Sequence, residues 1–341
     1  MKKILLLALV LYLLLSCSNK IENVEKSFYY WKSDQWSMSS KEIAVVKDLK
    51  VPKIYIKFFE VDHNENYGNF PISKTSLRLY DLDSLTIVPT VYLKNEIFKI
   101  SSKPGLDTLA NNINFLINKY SKDKFERTKP VKEFQMDCDW TLTTKENYFY
   151  FLKKLKEISK KEISCTLRLY PYKYPEKMGI PPVDKATLMC YNLVNPLENH
   201  SKNSILDVGE LELYLNKKRK YPLHLDIALP VYSWMQVYQN NRFAKVIYNS
   251  HKQILKSLKE IKPMWYEVTK DTVVNDFYLR VGDKIKYENL TPEKIDKAIQ
   301  VIRKNVVFDE NTTVTLFHLD EEQLSNYTNE ELSGFYTNFS K

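Results

Sequence analysis

Asp137 and Asp139 stand two residues apart in Phe134-Gln135-Met136-Asp137-Cys138-Asp139-Trp140-Thr141, at the end of an apolar, strand-like run. The period-2 alternation of a strand puts both carboxylates on one side. Two like charges held close together are costly, and one of them then favours its protonated form. The stretch therefore reads as a catalytic strand. Asp139 is its central carboxylate, and Asp137 is a partner that tunes it or orients a substrate. A buried polar pair hydrogen-bonded to neighbouring strands is the competing account.

Other strand ends carry groups that suit a sugar. Met189-Cys190-Tyr191-Asn192 offers a phenol and an amide that can hold a polarised carbonyl or a hydroxyl. Leu229-Pro230-Val231-Tyr232-Ser233-Trp234 offers rings on which the apolar C–H faces of sugars can stack. Glu60 and Asp62 share one face at the end of Phe59-Glu60-Val61-Asp62, near the same rim. Glu267 and Asp226 are further carboxylates for which a surface or capping role competes. The histidines His63, His200, His224, His251 and His318 show neither HxH nor HExxH spacing. Cys138, Cys165 and Cys190 fall in apolar runs, with no CxxC and no Cys/His pair, and read as buried free thiols. No metal site and no cofactor is implied.

These residues need a frame. Eight apolar or aromatic runs recur along the chain: 28–31, 53–60, 87–93, 131–139, 163–170, 186–193, 224–232 and 313–318. Helical patterns lie between them at 40–49, 106–120, 145–159, 204–218, 242–259 and 291–304. Alternating strands and helices imply parallel pairing, and eight such units predict an α/β fold, the (β/α)8 TIM barrel. An open doubly wound sheet is the alternative, but the chain has six glycines and no GxGxxG. Residues 264–269 and 276–286 alternate like a hairpin about Gly282-Asp283. They predict a small β insertion between the seventh and eighth strands, at about 262–288.

The chain opens Met1-Lys2-Lys3, runs apolar from Ile4 to Leu15 and reaches Ser16-Cys17. That run is too short to span a bilayer and fits a signal h-region. The reading is a signal peptide at 1–16, a lipidated Cys17 with a polar tether to residue 26, and one barrel domain from 27 to 341. Lysine and arginine number 51 against 42 acidic residues, a formal charge of +9 over 341 residues. The basic residues are scattered over polar helix faces without interleaved aromatics, so a nucleic-acid partner is not expected. The surplus gives a weak preference for acidic surfaces or polymers.

Together the motifs resemble the family 18 glycoside hydrolases, the chitinase-like barrels. That family carries a DGxDxDWE-type motif on its fourth strand, and 134–141 stands in its place. Its sixth-strand Met-x-Tyr-Asp is matched by Met189-Cys190-Tyr191-Asn192, and its Pro-x-Tyr by Pro230-Val231-Tyr232. A small insertion after the seventh strand is also common there. Leu14-Leu15-Ser16-Cys17 resembles the bacterial lipobox, and the whole is similar to an uncharacterised bacterial group of glycosidase-like lipoproteins. The resemblance implies a barrel held to the membrane of the cell envelope by lipid on Cys17, with a monomer as the default state. It would act as a hydrolase on a glycan through Asp139 and Asp137. Tyr191, Asn192, Tyr232, Trp234, Glu60 and Asp62 would contact the sugar. Two departures count against simple carry-over. The family's acid, the Glu that closes the motif, is Thr141 here, and its sixth-strand Asp is Asn192. A threonine cannot protonate a leaving sugar at neutral pH. Another carboxylate then supplies the proton, or the barrel is a glycan receptor that does not cleave. A structural protein without a ligand leaves the paired aspartates unexplained.

Overall fold

The structure, a computed structural model, describes residues 21–340 apart from 80, 81, 83, 127, 199, 200, 217, 218 and 249–253. The signal and lipidation region, residues 1–20 with Cys17, lies outside the described residues.

Eight parallel strands form the barrel: β1 (Asn23–Tyr30), β2 (Lys53–Asn64), β3 (Thr86–Leu93), β4 (Glu133–Asp137), β5 (Glu162–Leu167), β6 (Lys185–Met189), β7 (His224–Pro230) and β8 (Asn311–Phe317). Each pairs with the next, and β8 pairs back onto β1, which closes the sheet. In that closure Tyr29 of β1 stands opposite both Tyr55 of β2 and Phe317 of β8. The fold is the TIM barrel that the alternation of runs predicts. Residues 23–26, which the sequence reading leaves in a tether, belong to β1. Their pairing with 311–314 overrides their polar character.

The main outer helices are α1 (Ser40–Asp48), α2 (Lys103–Phe125), α3 (Lys145–Ser159), α4 (Val208–Leu215), α5 (Pro292–Asn305) and α6 (Asn329–Thr337). Their apolar stripes face the barrel. Tyr148, Phe151, Leu152 and Leu155 of α3, and Ile295, Ala298, Ile299 and Ile302 of α5, are buried at helical spacing. Ser39 and Glu42 form a capping box on α1, and Thr291 caps α5.

Inside the barrel, polar groups are tied in layers. Gln135 accepts from the Tyr29 hydroxyl at 2.9 Å and donates to Thr187 at 3.1 Å. At the N-terminal end Lys185 meets Glu133 at 2.8 Å and Asp226 at 3.6 Å. Asp226 also accepts from the Thr313 backbone at 2.7 Å and faces His224 at 3.3 Å. Asp226 thus belongs to the floor, not to the rim. Its place near the start of β7 fixes that. The three thiols Cys138, Cys165 and Cys190 are buried and unpaired, and burial pushes each above the ordinary thiol value.

The insertion is larger than the sequence suggests. Strands 242–247, 234–239, 284–288, 265–268 and 258–262 make one antiparallel sheet in that order. Its own core holds Met235, Val237, Ile247, Val268, Leu279 and Ile285. A side hairpin, 272–274 with 277–279, turns at Asn275 and Asp276, both left-handed. Residues 242–247, expected to begin a helix, are an edge strand because 234–239 supplies a pairing partner.

Candidate functional site

The C-terminal ends of β2, β3 and β4 bring Glu60, Tyr92 and Asp137 into one row of the sheet. Asp137 is the last residue of β4 and is buried; the Thr166 hydroxyl donates to it at 2.6 Å. Burial raises its carboxyl to about 7, and the charge of Asp139 adds to the rise, while Thr166 and Arg168 oppose it. Tyr92 is pushed up to about 12, first by burial and then by Asp139 and Asp137. Glu60 is held by the Lys57 ammonium at 2.5 Å, and that ammonium lies 5.7 Å from the Trp31 ring centre.

Asp139 follows β4 and stands at the rim with its side chain about half exposed (54 %). Arg168, just past the end of β5, brings Nε to 3.5 Å from its Oδ1. The same guanidinium donates through Nη2 to the Asn192 carbonyl at 3.3 Å. Arg168 therefore joins the fourth-strand carboxylate to the backbone carbonyl just past the sixth strand. Sequence reading passed over it. Its only signal is a lone cation closing the apolar run 163–170, at the position where a strand end becomes a rim.

Thr141 has a different task from an acid. Its backbone N–H bonds the Thr144 hydroxyl at 2.8 Å, and its own hydroxyl lies 3.0 Å from that of Thr143. It shapes the turn that leads into α3.

Asn192 adopts φ +53°, a conformation that asparagine tolerates. Its side-chain oxygen accepts from the Tyr232 hydroxyl at 2.6 Å. Tyr191 is buried between Phe317 and Tyr232, with ring centres at 5.3 and 6.4 Å, and burial pushes its hydroxyl well above the ordinary value. It packs the wall. Trp234 is partly open, with its edges against Tyr232 and Tyr248 and its indole N–H on Glu288.

Glu288 is a second residue that sequence reading missed. It is fully buried, paired with Lys286 at 2.7 Å, and accepts from the Ser204 backbone at 2.8 Å and from Gln236 at 2.9 Å. The insertion thus aims Trp234 through a buried ion pair.

Two cavities open beside these residues, and Arg168 lines the smaller of them. One, of about 970 Å³, is lined by Trp31, Asn192, Tyr232, Trp234, Tyr248 and Phe317 among others. The other, of about 440 Å³, holds Asp139, Thr141, Leu142, Arg168, Tyr170 and Met178. Asp62 and Glu267 line neither. Asp62 is paired with Lys94, and Glu267 sits in the insertion sheet opposite Lys284 and Lys259. Arg168 joins Asp139 to the Asn192 backbone, Asn192 in turn accepts from Tyr232, and the Tyr232 ring meets Trp234, while Asp137 is held apart by Thr166. A third cavity, of about 590 Å³, lies at the opposite end, against Lys185, His224 and Thr313. Among the described residues no group of three His, Cys, Asp or Glu side chains could hold a metal ion. No described helix is long and apolar enough to cross a membrane.

No protein-family model matches the chain, and no curated protein matches it. Solved structures do match, and what they share with this chain is the barrel fold. The spore cortex-lytic enzyme SleL of Bacillus megaterium QM B1551 is similar at 14 % identity and a TM-score of 0.54, over 92 % of this chain and 74 % of that one. The chitinase of Chromobacterium violaceum ATCC 12472 is similar at 9 % identity and 0.52, over 93 % and 98 %. An Ostrinia furnacalis Group II chitinase catalytic domain, solved in complex with penta-N-acetylchitooctaose, is similar at 8 % and 0.51, over 92 % and 95 %. At such identities the likeness is one of fold.

Proposed function

We propose that this barrel recognises a glycan across its C-terminal mouth and does not cleave it by the substrate-assisted route of the chitinase-like family. The observation that carries the reading is Thr141. At the position of the family's acid stands a hydroxyl bound into a threonine turn. The nearby Asp139 is engaged by Arg168. The rings of Trp31, Tyr232 and Trp234 supply stacking, and the Asn192 amide supplies hydrogen bonds.

A second reading, hydrolysis in the cell envelope, draws on one observation. Burial brings the Asp137 carboxyl to about 7, near the value a general acid needs at neutrality. Calorimetry of the full chain in detergent, with bacterial, host and plant polysaccharides, separates the two when run beside product analysis by mass spectrometry. Saturable binding without released oligosaccharide is expected from both the wild type and Asp139→Asn. Trp234→Ala should weaken that binding by about tenfold, the worth of one stacking ring. Products from the wild type but not from Asp139→Asn would establish the hydrolase instead.

Lipid attachment at Cys17 is part of the proposal and rests on Leu14-Leu15-Ser16-Cys17. Cells fed labelled palmitate should label the wild type and leave Cys17→Ser unlabelled. Equal labelling of the two removes the anchor from the reading.

A further inference from the structure

The chain carries a formal charge of +9, yet its largest mouth cavity is acidic. Five carboxylates (Asp34, Glu42, Asp320, Glu321 and Glu322) and one lysine, Lys32, line it. Lys32 is occupied on two sides, with Glu42 at 2.6 Å and Asp320 at 2.8 Å. That buried triad joins α1 to the segment after β8, and it keeps more negative than positive charge. Asp34, Glu321 and Glu322 are exposed, and among the described residues no ion pair neutralises them.

The same cavity is also lined by the aromatic rings of Trp31, Tyr232, Trp234 and Tyr248. Carboxylates and aromatic rings lining one cavity are the surroundings an ammonium group seeks, through Coulomb attraction and cation–π contact. A carboxylated or sulfated sugar meets the same lining as repulsion.

One polar atom in the lining has no partner. Nδ1 of His318 is buried without a hydrogen bond, while the ring lines the cavity. Burial, with Lys32 and Lys57 adding to it against the pull of Asp320, lowers the imidazole to about 4, so the ring is neutral. A sealed N–H without an acceptor is costly, so the ring proton belongs on Nε2. His318 then adds no positive charge to the cavity.

We infer that the mouth selects a glycan bearing free amino groups, such as a glucosamine oligomer, over its N-acetylated or anionic counterparts. The inference rests on the glycan-binding reading above and names its substrate class. Charge on the fold as a whole pointed toward acidic polymers; the cavity reverses that preference.

The test is calorimetry on the full chain in detergent with glucosamine hexamer, N-acetylglucosamine hexamer and an oligogalacturonate. The amino oligomer is expected to bind about tenfold more tightly than the acetylated one, and the uronate not at all. Raising salt to about 0.5 M should erase most of that preference. The triple change Asp34→Asn, Glu321→Gln, Glu322→Gln should erase it too and leave the acetylated chain unaffected. Equal or weaker binding of the amino oligomer overturns the inference, as does a preference that survives the triple change. A neutral glycan bound without amine preference sinks only this inference. Binding of no glycan at all sinks the glycan reading with it.

Discussion

Asp137→Asn is expected to stabilise the barrel by roughly 4 kcal/mol at about pH 8 and to leave it unchanged at about pH 3. The carboxyl is raised from 3.8 to about 7 in the folded barrel, chiefly by burial. The folded state therefore holds this proton more tightly than the unfolded chain. The stability Asp137 contributes is present in full below its unfolded value. It is lost as pH climbs through the folded value, where the barrel has to carry a buried anion. Asparagine keeps the shape and can still accept from Thr166, but it carries no charge. Urea midpoints of the two proteins across that range should diverge between about pH 4 and about pH 7. A difference that does not change with pH would mean that Asp137 titrates alike in the folded and unfolded chain.

The other large effect sits in the insertion. Lys286 and Glu288 are both fully buried and pair at 2.7 Å. Removing one partner of such a pair leaves an uncompensated charge and costs about 3–5 kcal/mol. Lys286→Met should therefore destabilise the sheet at 234–288. It should also loosen Trp234, whose indole N–H bonds Glu288. Tryptophan emission should shift to the red and glycan binding should fall. The double change Lys286→Met, Glu288→Gln should recover much of the stability, since no lone buried charge remains. If Lys286→Met melts like the wild type, the pair is not what holds this wall.

Much of this architecture is written locally. Val131–Asp139 reads as a strand because apolar side chains alternate along it, and β4 lies within those bounds. The shared side of Asp137 and Asp139 follows from the same period. Their opposite fates do not. β4 ends at Asp137, so Asp139 emerges at the rim while Asp137 stays inside. Where a strand stops is decided by its neighbours' lengths. Arg168 and Glu288 were illegible for a related reason. Each acts through partners far along the chain, Arg168 across to Asn192 and Glu288 across to Ser204. Residues 242–247 were misread because a helix is a local choice, whereas their strand depends on Trp234–Gln239 opposite.

The three buried thiols make the protein its own stopwatch. Cys138, Cys165 and Cys190 lie at the ends of β4 and β6 and within β5, three neighbouring strands beneath Asp139, Arg168 and Asn192. A soluble alkylating reagent reaches them only when that wall opens, so the labelling rate counts openings with no probe introduced. Mass spectrometry of each cysteine peptide would time the strands separately. A ligand seated at the mouth would slow all three clocks together, and a ligand bound elsewhere would leave them running.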